Sequence, residues 1–96
     1  MRSYEMMVIA RPDLDEAGSQ AVIEKVTGLI NNNGGVVEKL DPTRKQRLAY
    51  EIKDFRDGIY TVVYFKGEPK TAEELNRVLK ITDDVIRFMI VRPEEK

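Results

Sequence analysis

Two stretches of helical periodicity stand in this sequence, each between runs of strand character. Val22, Val26, Leu29 and Ile30 recur three or four residues apart, as do Leu75, Val78 and Leu79, the spacing that lines one face of a helix. Residues 3–10 (SYEMMVIA) read as a strand closed by Arg11-Pro12. Asp13 with Glu16 forms a capping-box-like start to the first helix, with Asp15 as the alternative cap. Asn31-Asn32-Asn33-Gly34-Gly35 ends that helix, because Asn and Gly tolerate the left-handed conformation of a helix stop. A second strand starts over 36–40, is interrupted at Asp41-Pro42 and resumes through Ile52, with 41–47 as the expected loop or bulge. Residues 54–58 are read as the turn into a third strand over 59–66, rich in β-branched and aromatic residues. Thr71 with Glu74 is read as the cap of the second helix, and 85–92 as a fourth strand ended by Pro93.

The order is therefore βαββαβ. Two right-handed crossovers flanking a hairpin give an α+β, ferredoxin-like sandwich: a four-stranded antiparallel sheet with both helices on one face. Ninety-six residues make one such domain, 1–96, with 93–96 as a short charged tail.

One face of that sheet has no helix to cover it. A hairpin centred on Arg56 would set Leu48 opposite Tyr64, Tyr50 opposite Val62 and Ile52 opposite Tyr60, all on one face, with Thr61, Val63 and Phe65 on the other. The first strand is apolar on both sides, with Tyr4, Met6 and Val8 against Met7 and Ile9. The sequence thus predicts an exposed apolar patch of Leu48, Tyr50, Tyr60, Val62 and Tyr64, and contiguous patches of that kind mark a protein partner. A single strand tyrosine with its hydroxyl in water would need no such reading; the cluster is what points to one.

Charge is uneven although the net charge is only −1. Between Lys39 and Arg56 six cations face three anions, and Arg44, Lys45 and Arg47 stand directly before the strand-like run Leu48-Ala49-Tyr50-Glu51-Ile52. A basic arm on a β-ribbon suits a polyanion such as RNA; the same arm also serves as a charged edge that blocks sheet-to-sheet association. Arg2, Arg87 and Arg92 lie at the ends of the first and last strands, which are neighbours in this fold, and are read as a second basic spot or as ordinary strand-end charge.

Most chemistry is excluded. There is no cysteine and no histidine, so disulfides, thiolate ligands, cysteine nucleophiles and the usual neutral-pH acid–base group are all missing. Ser3 and Ser19 have no base partner, and Asp13/Asp15 and Asp83-Asp84 read as caps and turns. Gly34-Gly35 lacks the spacing of a phosphate loop. Acylphosphatases of the same fold need a phosphate-cradling loop after the first strand, and amino-acid-binding ACT modules a glycine there; Arg11-Pro12-Asp13-Leu14-Asp15 is acidic and glycine-free. The third strand, IYTVVYFK, does not carry the aromatic motif of the RNA-recognition-motif fold. No run approaches the roughly 20 apolar residues of a membrane span, and the N-terminus does not read as a signal peptide. No enzyme, cofactor, metal or small-molecule substrate is expected, and the location expected is cytoplasmic. A ligand-regulated module and an RNA-independent adaptor are the rival classes.

Several motifs carry a resemblance along essentially the whole chain: Arg2-Ser3-Tyr4-Glu5, Arg11-Pro12-Asp13-Leu14-Asp15, Arg47-Leu48-Ala49-Tyr50-Glu51-Ile52, Asp54-Phe55-Arg56-Asp57-Gly58 and Ile81-Thr82-Asp83-Asp84-Val85-Ile86-Arg87. The sequence resembles the ribosomal protein six family of the bacterial small subunit. That resemblance implies a ferredoxin-like fold without enzymatic activity, pairing with ribosomal protein eighteen, and joint binding to the central domain of the small-subunit ribosomal RNA during assembly. It implies that Leu48, Tyr50, Tyr60, Val62 and Tyr64 receive the partner. It also implies that Arg2, Arg44, Lys45, Arg47, Arg87 and Arg92 meet RNA phosphate. One departure stands out: Thr43-Arg44 occupies the place where family members typically carry Trp-Gly, and Gln46 replaces a usual cation.

Overall fold

A computed structural model describes residues 1–93; the charged tail expected over 93–96 otherwise lies outside the described residues. The elements are β1 (Arg2–Ala10), α1 (Glu16–Asn32), β2 (Val36–Leu40), β3 (Arg44–Ile52), β4 (Phe55–Gly67), α2 (Pro69–Leu79) and β5 (Val85–Val91). The sheet order is β2–β4–β1–β5, with β3 also on β4. The expected two-layer sandwich is present, but the sheet has five strands rather than four. The interrupted second strand is two strands, β2 and β3, that follow one another along a single edge of β4. The break is also shorter than 41–47: β3 is already extended at Arg44.

The hairpin differs from the sequence reading in register. Its turn is Lys53-Asp54, both at positive φ (50° and 70°), and β4 begins at Phe55. Ile52 lies opposite Phe55, Arg47 opposite Asp57 and Arg44 opposite Tyr60. The pairings Leu48–Tyr64, Tyr50–Val62 and Ile52–Tyr60 therefore do not form. Tyr64 lies opposite Lys39 of β2, and the Val62 carbonyl accepts from the Asp41 amide at 3.0 Å. The physical reason is the Ile52/Phe55 pair: both side chains pack on the same apolar cluster and carry the strand through the polar Arg56-Asp57, which reads as a turn in sequence.

The helix caps also moved. Asp15, not Asp13, caps α1, accepting from the Gly18 amide at 2.7 Å. Helix α2 starts earlier than Thr71/Glu74: Glu68 is the cap, Pro69 takes the first turn, where its missing N–H costs nothing, and the Thr71 hydroxyl accepts from the Glu68 amide at 3.2 Å. Glu74 instead pairs with Arg77 one turn on. Thr71 is fully buried and its hydroxyl also donates to the Asn33 carbonyl at 2.8 Å, tying the start of α2 to the end of α1. Thr71→Val keeps the shape but strands the Asn33 carbonyl and the Glu68 amide. It is expected to cost about 1–2 kcal/mol, read as a lower urea midpoint at unchanged slope.

The main core lies between the helices and the inner face of the sheet, where Met6, Val8, Val26, Ile30, Val63, Phe65, Leu75 and Leu79 are essentially inaccessible. A second, smaller cluster of Ile9, Leu48 and Ile86 sits on the opposite face, with Met7, Ile52, Phe55 and Tyr60 packed against it.

Candidate partner and nucleic-acid interface

The helix-free face is assembled by strand register. Met7 and Ile9 of β1 lie opposite Val62 and Tyr60 of β4, and opposite Met89 and Arg87 of β5. Side chains alternate along a strand, so these positions share the face opposite to core residues Met6 and Val8. Tyr60, Val62 and Tyr64 thus come together there as the sequence predicts, through a single long β4.

Leu48 and Tyr50 reach the same face by another route. Between Arg47 and Ile52 the β3–β4 register breaks, and this segment brings Leu48 against Ile9 and Ile86, where it is only 8% exposed. Gly58 provides the room, because a Cβ there would lie 2.3 Å from Ile9 Cγ2 and 3.4 Å from Leu48 Cδ2. Leu48 is therefore an internal anchor, a correction to its expected place in an open patch. Tyr50 remains 61% exposed, and its hydroxyl accepts from the Arg87 guanidinium, joining the hairpin to the outermost strand. Tyr64 is half-buried: its hydroxyl donates to Asp41 Oδ2 at 3.2 Å, and the Lys39 ammonium lies 5.4 Å from its ring centroid. Loss of contact with water, then the Asp41 charge, push the Tyr64 phenol above its ordinary value. The apolar surface left on this face runs from half-buried Met7, Tyr60 and Val62 to exposed Met89, with Tyr50 at its rim.

The six arginines and lysines do not form two compact spots. Arg44 pairs with Tyr60 and lines a groove of about 470 Å³ with Met7, Asp41, Gln46 and Val62 on the helix-free face. Lys45 and Arg47 pair with Ile59 and Asp57, and alternation sends them to the other side of the hairpin. Arg87, opposite Ile9, sits on the helix-free face. Arg2, opposite Gly67, lies seven positions along β1 from Ile9, roughly 20 Å away at the rise of a strand. Arg92 falls at the Arg2 end and lines a groove with Ala72, Glu73 and Asn76 of α2. Arg87 is thus separated from the other two members of the expected second spot.

Sequence reasoning missed Met7, Ile9, Ile86, Met89 and Gly58 as parts of this face. The signal for the first two was the apolar character of β1 on both sides. Ile86 gave none: it alternates with Phe88 in sequence, but a register shift between Ile9 and Ala10 carries it into the outer cluster. Among the described residues no group of three His, Cys, Asp or Glu side chains could hold a metal, and no helix is long and apolar enough to cross a membrane.

The family model described as Ribosomal protein S6 matches residues 3–92. The chain belongs to the ribosomal protein S6 family. It is 68% identical over 95 residues to the small ribosomal subunit protein bS6 of Symbiobacterium thermophilum, covering 99% of this chain and all of that one. It is 51% identical over 96 residues to bS6 of Moorella thermoacetica, covering 100% and 98%. Its structure superposes on the crystal structure of 30S ribosomal protein S6 from Thermotoga maritima with a TM-score of 0.91 at 32% identity, covering 98% of this chain and 89% of that one. S6 membership makes the chain a structural, non-enzymatic component of the small ribosomal subunit with a ferredoxin-like fold. The departure of this S6 chain at Thr43-Arg44 is accommodated locally: the Thr43 and Thr61 hydroxyls lie 3.0 Å apart, and Arg44 is ordinary strand.

Proposed function

We propose that this S6-family chain pairs with ribosomal protein eighteen and that the two together bind the central domain of the small-subunit ribosomal RNA. The observation that supports this most directly is the helix-free sheet face, where an apolar surface (Met7, Tyr60, Val62, Met89) lies directly beside two guanidinium groups, Arg44 and Arg87. A surface that needs both an apolar cover and an anion suits a protein and an RNA arriving at the same place. In this reading the partner covers the apolar surface, with Tyr50 and Tyr64 at its rim. Arg44 and Arg87 face phosphate beside it, while Lys45, Arg47, Arg2 and Arg92 meet RNA at the hairpin's other side and the far end of the sheet. With a net charge of −1 the chain has little affinity for RNA alone. Pairing fixes the surface before RNA arrives and so removes ordering cost from the capture step.

The test is binding to a central-domain RNA fragment, with and without ribosomal protein eighteen, across a salt series. Tight binding is expected only with the partner, with log K falling linearly against log salt by about 0.7–0.9 per phosphate contacted. Binding indifferent to the partner would overturn the role of the apolar face. No binding in either arm would overturn the proposal as a whole.

A further inference from the structure

We infer that Tyr50 is a positioning residue for RNA capture: its hydroxyl orients the Arg87 guanidinium on the helix-free face without neutralising it. The inference rests on the proposed RNA-binding function and deepens it.

The contact joins residues 37 apart in sequence and is made from the part of β3 where the pairing with β4 shifts register. Pairing of β3 with β4 runs in register up to Arg47–Asp57 and resumes only at Ile52–Phe55. Leu48, two residues before Tyr50, is held under this segment by Ile9 and Ile86. Ile9 is also the β1 residue opposite Arg87, so one buried side chain supports both ends of the contact. The buried Leu48 thus fixes the backbone that carries Tyr50, while the Tyr50 ring itself is exposed.

The chemistry of the acceptor separates Arg87 from other arginines of the chain. Arg11 faces the Asp13 carboxylate at 2.9 Å, Arg56 faces Glu51 at 3.5 Å, and Arg77 is paired with Glu74. A carboxylate holds a guanidinium and cancels its charge together. A phenol is neutral, so it restricts the side chain while leaving the full positive charge for an anion. A guanidinium has five N–H donors, and one spent on Tyr50 leaves a fork for bidentate phosphate binding. Restricting a rotamer-rich side chain before the ligand arrives lowers the entropy lost on binding.

The experiment uses heterodimer formed with ribosomal protein eighteen supplied well above its pairing constant, so that RNA affinity is read on paired protein. Wild type, Tyr50→Phe, Arg87→Gln and the double variant are compared for affinity to the central-domain RNA fragment. Tyr50→Phe is expected to weaken RNA binding about three- to tenfold, the size of the ordering cost of one rotamer-rich side chain. Arg87→Gln is expected to weaken it at least as much and to reduce the salt slope by about one contact. The double variant is expected to bind like Arg87→Gln alone, since Tyr50's hydroxyl then has nothing to hold. A merely structural hydroxyl would lower the thermal midpoint instead; at these exposed side chains that midpoint should stay put. Loss of affinity in Arg87→Gln with none in Tyr50→Phe would overturn the positioning role and leave the RNA-binding function standing, as would additive effects in the double variant. No effect in Arg87→Gln would remove Arg87 from the RNA surface and the inference with it. Failure of the wild-type heterodimer to bind would instead overturn the function itself.

Discussion

Phe65→Ala is expected to lower the free energy of unfolding by about 3–5 kcal/mol, the cost of emptying a large buried aromatic site. Phe65 is fully inaccessible, stacks on Tyr4 with ring centroids 5.2 Å apart, and lies in the middle of the main cluster. Its neighbours are held by strand pairing on both sides of β4, Tyr4 on β1 and Val37 on β2, so the cavity cannot close by a simple shift. A domain of this size has about 5–15 kcal/mol in total, so the loss would take a large share. The effect would reach the interface without touching it, because β4 displays Tyr60, Val62 and Tyr64 on its other face. Equilibrium denaturation with guanidinium measures it directly: the midpoint should fall steeply at constant slope. A loss under about 1 kcal/mol would mean that the core around β4 repacks and that the outer face is not rigidly mounted.

The layer architecture was legible because it depends on periodicity alone. Val22, Val26 and Ile30 mark the buried stripe of α1, and Leu75 and Leu79 that of α2, at the spacings seen in sequence. The assignment of Val63 and Phe65 inward and Tyr60, Val62 and Tyr64 outward was equally legible, since parity along one strand survives an error in its partner's register. The register itself was not legible. Lys53-Asp54 carries no glycine or asparagine, the usual sign of a turn with two positive-φ residues, whereas Asp57-Gly58 looks like one and lies inside β4. The interruption at Asp41-Pro42 was visible, but not that it divides one edge of β4 between two strands. For the interface, the residue types were legible and their grouping was not. Arg44, Lys45 and Arg47 are adjacent in sequence and split by alternation. Tyr50 and Arg87 are far apart in sequence and meet only because the chain leaves the ladder between Arg47 and Ile52.

Gly58→Val is expected to cost about 3 kcal/mol, at the upper end for overpacking a filled site, despite valine's preference for strands. Glycine inside a strand is ordinarily a liability of about 0.5–1 kcal/mol relative to alanine, so a side chain in open space would stabilise β4. The space here is taken. The added Cβ alone would sit 2.3 Å from Ile9 Cγ2, and Ile9 is fixed in β1 between β4 and β5, so the methyl cannot swing clear. Leu48 closes the other side. Either Ile9 or the segment carrying Leu48 must lift from the sheet, and both lie beneath the Tyr50–Arg87 contact. The clash has a specific signature in combination with Ile9→Ala. That change by itself should cost about 2–5 kcal/mol as a cavity. In the Gly58→Val background it should cost much less, because the valine occupies the space the isoleucine leaves. The double variant would then be more stable than the sum of the single losses predicts by at least about 1 kcal/mol, well outside the scatter for independent sites. Additive losses would show that Ile9 is not what opposes the added side chain, since Gly58 has no positive φ to account for them. The hairpin's placement over the sheet would then have to be set by Ile52 and Phe55 at its tip.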